Sequence, residues 1–185
     1  LARCHQDIAE GDIVIVTMLF MEEHFLPVLP ALKARRDQCD AMVCLMSASE
    51  VSKLTRMGKF DMQAPSSAPM EFLKKLRGKS AQVGQMSAEE KTSAGEKQMK
   101  MLRRLPKILR FIPGTAQDVR AYFLTMQYWL AGSEDNLAHL VRFLVSRYGD
   151  TKRAGLAAPS YEAPKPYPEV GLWHPAVLWE VQTYP

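Results

Sequence analysis

Residues 13–20 read IVIVTMLF and residues 41–46 read AMVCLM, and these two runs decide the fold. The first is short, continuous and rich in β-branched side chains, as expected for a strand covered on both faces, and the second is its counterpart. Between them Phe25, Val28, Leu29 and Leu32 recur at helical spacing, and Lys33, Arg35 and Arg36 follow as the basic residues that suit a helix C-terminus. Pro27 fits a first turn, whereas Pro30 removes a backbone hydrogen bond and leaves the start of this helix open. After the second run, Ser47 and Glu50 have capping-box spacing, Val51, Leu54 and Met57 form an apolar edge, and Gly58 is a stop, so a second helix is expected. Strand, helix, strand, helix with short joins predicts a parallel sheet, because a crossover between parallel strands needs a dozen or so residues. The expected class is α/β, part of a Rossmann or flavodoxin-like parallel sheet with flanking helices, in which a segment preceding Leu1 supplies a further strand.

Downstream, QAPSSAP at 63–69 reads as a loop and MEFLKKLRG as a short amphipathic helix ending at Gly78. Residues 79–97 are Ser, Gly, Gln, Glu and Lys with scarcely an apolar anchor, which predicts a flexible linker or loop. Three helices should follow. Met99, Leu102, Leu105, Leu109 and Ile112 keep helical spacing with Pro106 as a kink; Val119, Tyr122, Phe123, Met126 and Leu130 share a face after Thr115; Ser133 caps a third helix whose stripe is Leu137, Leu140, Val141, Leu144, Val145 and Tyr148. Pro159, Pro164, Pro166 and Pro168 then mark an extended tail. The organisation expected is an α/β portion over 1–78, a linker over 79–97, a three-helix cluster over 98–149, and a Pro-rich tail over 150–185 leading into the rest of a longer chain.

Composition is that of a globular protein, with 47% hydrophobic and 24% charged residues among 185. Cys4, Cys39 and Cys44 are odd in number and form no C-x-x-C pair, which argues against a disulfide framework or a zinc site and for a reducing cytosol. No run approaches the ~20 apolar residues of a membrane span. A net charge of +4 is a mild bias that decides little on its own.

Reactive constellations are scarce. RGKS at 77–80 imitates the end of a phosphate-binding loop, but Leu73 stands where that loop needs its first glycine, so a helix C-cap is the better reading. The four histidines are far apart, and no metal site or catalytic residue is expected. His24, beside Glu22 and Glu23 at the carboxyl end of the first strand, is the best-placed ligand candidate, because open α/β sheets bind ligands outside those ends. Trp173 and His174 in GLWHP are a second candidate pair by residue type, against the simpler role of a tail anchor. Lys100, Arg103, Arg104, Lys107 and Arg110 make one helix face strongly basic. It has no interleaved aromatics for base stacking, so nucleic acid is not expected and docking against an acidic partner is the functional alternative to a solvated face.

DAMVCLMSASEVSKLTRMGKFDM at 40–62 resembles a signature of the large (H) subunit of magnesium chelatase, with Glu50, Val51, Leu54, Gly58 and Phe60 at the matching positions. The stretch from Leu102 to Val145 is similar to the same family through Leu105-Pro106-Lys107, Ala116-Gln117-Asp118, Trp129, Gly132, Ser133, Asn136 and Leu137, and Gly171, Trp173, His174 and Pro175 complete the order. The SASE loop departs from the proline-rich version of plant and cyanobacterial members, which favours the bacteriochlorophyll branch. The resemblance implies the N-terminal region of a very long porphyrin-binding subunit of a ligase that forms nitrogen–metal bonds. Mg2+ and protoporphyrin IX would be substrates of the whole enzyme, and an AAA+ ATPase subunit that binds ATP and a second small subunit would be partners. The implied location is cytoplasmic, at most peripheral to the photosynthetic membrane. No catalytic residue of the family transfers to these positions, and a structural, docking or gating part is implied for this segment. The alternatives are the large subunit of aerobic cobaltochelatase and a non-catalytic interaction scaffold.

Overall fold

Side chains alternate across a strand with a period of two, so a strand sandwiched between helices must be apolar at every position. Residues Ala41–Leu45 (β2) meet that condition, with all five side chains fully buried. The computed structural model describes residues 1–64, 106, 109–110, 114–149 and 160–165. Its strands are β1 (Ile13–Thr17), β2, β3 (Arg56–Met57) and β4 (Phe60–Asp61), in the order β1-β2-β3-β4. β1 runs parallel to β2 with Ile13 opposite Ala41 and Thr17 opposite Leu45. The two-strand parallel core and its α/β character are therefore as expected.

The rest of the sheet corrects the expectation of a flavodoxin-like parallel array, since β3 is antiparallel to β2 and β4 to β3. The helix expected after β2 is only α4 (Ser49–Ser52). Leu54 and Met57 are buried as their spacing suggests, but Met57 belongs to a strand paired with Ala41. Gly58, with φ +56°, makes the hairpin turn rather than ending a helix. Where β3 has diverged from β2, the Thr55 hydroxyl takes over the ladder, accepting from Cys44 N–H at 3.1 Å and donating to Cys44 C=O at 3.3 Å. The capping box does not form either; α4 has Ala48 as its N-cap, and Ser47 is used elsewhere.

One layer of helices comprises α1 (Ala2–Glu10), α2 (Glu22–Phe25), α3 (Leu29–Arg35) and α4. Ile8, Phe25, Leu32 and Val51 from these helices pack with Val14, Val16, Met42 and Cys44 of the sheet. The open question of Pro30 resolves into two short helices, with Pro30 in the first turn of α3, where its missing N–H has no partner to lose. α1 leaves little trace in the sequence pattern, because Ile8 is its single buried residue. The opposite layer is α5 (Thr115–Ala131) and α6 (Glu134–Tyr148). Val119, Tyr122, Phe123, Tyr128, Leu140, Phe143 and Leu144 close over Val43, Leu45, Met57 and Phe60. Gly132 at φ +67° ends α5, and the Ser133 hydroxyl accepts from Asn136 N–H at 3.2 Å to cap α6, both as expected. The buried face of α6 is rotated from the expected stripe, for Asn136 and Phe143 are buried while Val141 and Val145 are exposed, as is Leu130 of α5. Of the first expected helix of the cluster only Pro106, Leu109 and Arg110 lie within the described residues, and the linker over 79–97 lies outside them.

Candidate functional site

The carboxyl edge of the parallel pair is where an open α/β sheet offers a site, and each strand ends there on a methionine with left-handed backbone, Met18 at φ +62° and Met46 at φ +45°. Such a conformation costs a side-chain-bearing residue about 1–2 kcal/mol and is common only for Gly, Asn and Asp. Ser47 holds the two turns together. Its hydroxyl donates to Leu45 C=O at 3.0 Å and accepts Leu19 N–H at 3.1 Å, while Ala48 N–H reaches Leu19 C=O at 2.8 Å and Met18 N–H reaches Leu45 C=O at 3.3 Å. Ser52 Oγ secures the Ser47 carbonyl at 3.0 Å. Leu19 packs inward on the core, and its neighbours stay outside, with Met18 52%, Phe20 51%, Met21 57% and Met46 37% exposed.

His24 stands in α2 just beyond this edge, its side chain exposed and its Nε2 3.8 Å from Glu23 Oε1. Its partner there is the adjacent carboxylate of Glu23. Trp173 and His174 lie outside the described residues, as do Lys100, Arg103, Arg104 and Lys107. Arg110 is exposed. Sequence reasoning misses the residues that shape the edge, Met18, Met46 and Ser47, since positive φ at a methionine leaves no mark in sequence.

Two further polar assemblies have structural roles. The Asp118 carboxylate accepts Lys59 N–H at 2.9 Å, Tyr148 O–H at 2.9 Å and Arg147 Nη2 at 3.2 Å, joining the β3–β4 turn to α5 and α6. Burial pushes the Tyr148 phenol above its ordinary range. Across α5 and α6 lies the segment 160–165. The Asn136 amide pairs both ways with the backbone of Lys165, at 3.0 Å to its C=O and 2.9 Å from its N–H, Tyr128 O–H donates to Glu162 C=O, and Tyr161 meets Phe143 edge-on at 5.2 Å. His139 Nδ1 accepts Glu162 N–H at 3.2 Å, so this histidine helps to hold the segment in place. Arg36 is also buried in structural contacts, donating to Leu54 C=O at 3.1 Å and to Asp61 and Asp37. Among the described residues no group of three or more His, Cys, Asp or Glu side chains is placed to hold a metal ion, and no helix is long and apolar enough to cross a membrane.

These features define an α/β domain with a mixed sheet, helices on both faces and a hydrogen-bonded, methionine-bearing carboxyl edge. A family model described as "Domain of unknown function (DUF3479)" matches residues 1–123, about two thirds of the chain, and the chain belongs to that family. It is 50% identical over all 185 residues to the H subunit of magnesium chelatase from Cereibacter sphaeroides and 47% identical, again over its full length, to that of Rhodobacter capsulatus. Over 172 residues it is 31% identical to ChlH, the chloroplastic magnesium-chelatase subunit of Oryza sativa subsp. indica. The chain spans 15% of the length of each bacterial relative and 12% of the rice one. The resemblance seen in the residues is thus borne out, with higher identity to the two bacterial proteins.

Proposed function

We propose that this chain is the N-terminal region of the porphyrin-binding subunit of a magnesium chelatase, which inserts Mg2+ into protoporphyrin IX with ATP hydrolysed by a partner, and that it serves there as a structural, docking or gating part. The observation that carries the reading is identity of 50% and 47% across the whole chain to proteins named as the H subunit of magnesium chelatase. Higher identity to these than to the rice protein favours the bacteriochlorophyll type and, with it, a cytoplasmic enzyme working at the surface of the photosynthetic membrane. A non-catalytic part is supported by the polar groups of the interior, since the buried Asn136, Thr55 and Arg36 and the partly buried Asp118 are engaged with other segments of the chain. His24, Trp173 and His174 remain the proposed porphyrin contacts, and the basic face of Lys100, Arg103, Arg104, Lys107 and Arg110 the proposed dock for an acidic subunit.

The test is a full-length enzyme carrying Arg103→Glu, Arg104→Glu and Lys107→Glu, assayed with its partner subunits over a range of partner concentration and ionic strength. Exposed charges steer encounter more than they stabilise a fold, so the variant should fold normally yet need more partner for half-maximal activity, most clearly at low salt. Unchanged activity and assembly at every salt concentration would make the face merely solvated.

A further inference from the structure

We propose that the Met18–Met46 edge is a docking surface for an amphipathic helix of a protein partner whose apolar face is flanked by lysine or arginine. Because Thr17 pairs with Leu45, the residues that follow them, Met18 and Met46, stand side by side at the end of the parallel pair. Phe20 and Met21, which follow Met18 closely along the chain, are exposed as well, and the Ser47 hydroxyl ties the first turn to the second through Leu19 N–H and Leu45 C=O. The residue type is the informative part. A left-handed turn is served at less cost by Gly, Asn or Asp, whose side chains tolerate or locally support it, and methionine offers neither advantage. Two neighbouring turns nevertheless carry methionine and leave both thioethers in solvent. Strained backbone clusters at binding and switch regions, where the surrounding structure holds it in place. Thioethers on flexible stems adapt to the uneven ridge of a helix, as apolar grooves that receive amphipathic helices do.

Charge selects the partner. The short helices α2 and α4 both begin at this edge, and both carry carboxylates in the first turn, Glu22 and Glu23 in one and Glu50 in the other, all exposed. His24, beside Glu23, is a cation only when protonated. An apolar patch rimmed by carboxylates is complementary to a basic amphipathic helix, and it repels an acidic helix or an anionic membrane. This surface is opposite in sign to the basic face proposed above. Its existence does not depend on the chelatase reading; only the identity of the natural partner rests on that reading.

The experiment uses the full-length protein and a fluorescein-labelled synthetic helix of leucine and lysine, with a leucine–glutamate helix of the same pattern as control, followed by anisotropy. Asparagine tolerates left-handed backbone, so Met18→Asn with Met46→Asn should leave the melting temperature unchanged or raised while weakening the leucine–lysine helix roughly tenfold or more. Glu22→Lys with Glu23→Lys should weaken it comparably and flatten its dependence on salt; these positions are exposed, so this pair carries the test if the first variant melts early. Equal binding by parent and both variants, no binding by the parent, or equal affinity for the acidic helix would overturn the proposal. So would loss of deuteroporphyrin binding or of vesicle binding in the methionine variant with the helix still bound. Assembly with the chelatase's companion subunits, measured on the same variants, then asks whether one of them supplies the helix. Loss of peptide binding with normal assembly would leave the surface established and assign its partner elsewhere.

Discussion

Gly58 and Asp118 show how much one pair of residues can fix. A Cβ on Gly58 would lie 2.8 Å from a carboxylate oxygen of Asp118, at a backbone φ of +56° that already disfavours any other residue. Gly58→Ala should therefore lower stability by about 2 kcal/mol, combining left-handed strain with displacement of the Asp118 carboxylate from its hydrogen bond to Lys59 N–H; urea denaturation of the parent and variant would measure it, and equal midpoints would contradict it. Both residues are legible as family-matching positions, but their contact is not, since 59 residues separate the carboxylate from the Lys59 N–H it receives. The alkaline limit is also set by single residues. Burial pushes the Cys44 thiol from its ordinary 9.0 to about 12, and the Tyr122 phenol, buried and then opposed by Cys44, from 10.0 to about 12. Both are neutral when protonated, so the unfolded chain releases these protons first. Their contribution is complete below pH 9 and is lost as pH rises from 9 towards 12. Thermal melts between about pH 8 and 11 should show the melting temperature falling above roughly pH 9, and Tyr122→Phe should reduce the slope of that fall.

Among the elements, those that declare themselves locally can be read from sequence. Ser133 and Gly132 place the α5–α6 junction because a cap and a left-handed stop are chemistry of adjacent residues. The β3–β4 hairpin escapes such a reading for the converse reason: Val51, Leu54 and Met57 have helical spacing, and what turns Met57 into a strand residue is pairing with Ala41, sixteen positions away along the chain. The stripe of α6 is rotated by a polar residue no hydropathy pattern would bury. Asn136 goes inside because its amide is matched by the peptide of Lys165. Asn136→Ala should accordingly cost about 1–3 kcal/mol and release the 160–165 segment, leaving unpaired peptide groups behind. Cleavage by a glutamate-specific protease after Glu162, timed by mass spectrometry in parent and variant, would report it, and identical rates would mean that Tyr128 and Phe143 suffice. The candidate ligand edge is legible in place, through His24, but not in content, because the conformations of Met18 and Met46 arise from how two strands end together.

For the whole molecule, the composition of residues 79–97 leads us to propose a linker between the α/β portion and the helices. Ordering so polar a stretch would cost about 1–2 kcal/mol per residue with little burial to offset it. Brief protease treatment should cut there before it cuts the 134–148 helix, and comparable resistance of the two would dismiss the idea. What the sheet shares with α5 and α6 has a further consequence, felt while the chain is being made. One face of β2 is covered by segments that flank it closely in sequence, whereas Val43, Leu45, Met57 and Phe60 wait for Tyr122, Phe143 and Leu144. At synthesis rates of roughly 5–20 residues per second, the hundred or so residues between the end of β2 and the end of α6 take about 5–20 s to emerge. For that interval the nascent sheet lacks the two helices that complete its second apolar face, and an incomplete face of this kind is prone to aggregate until they arrive.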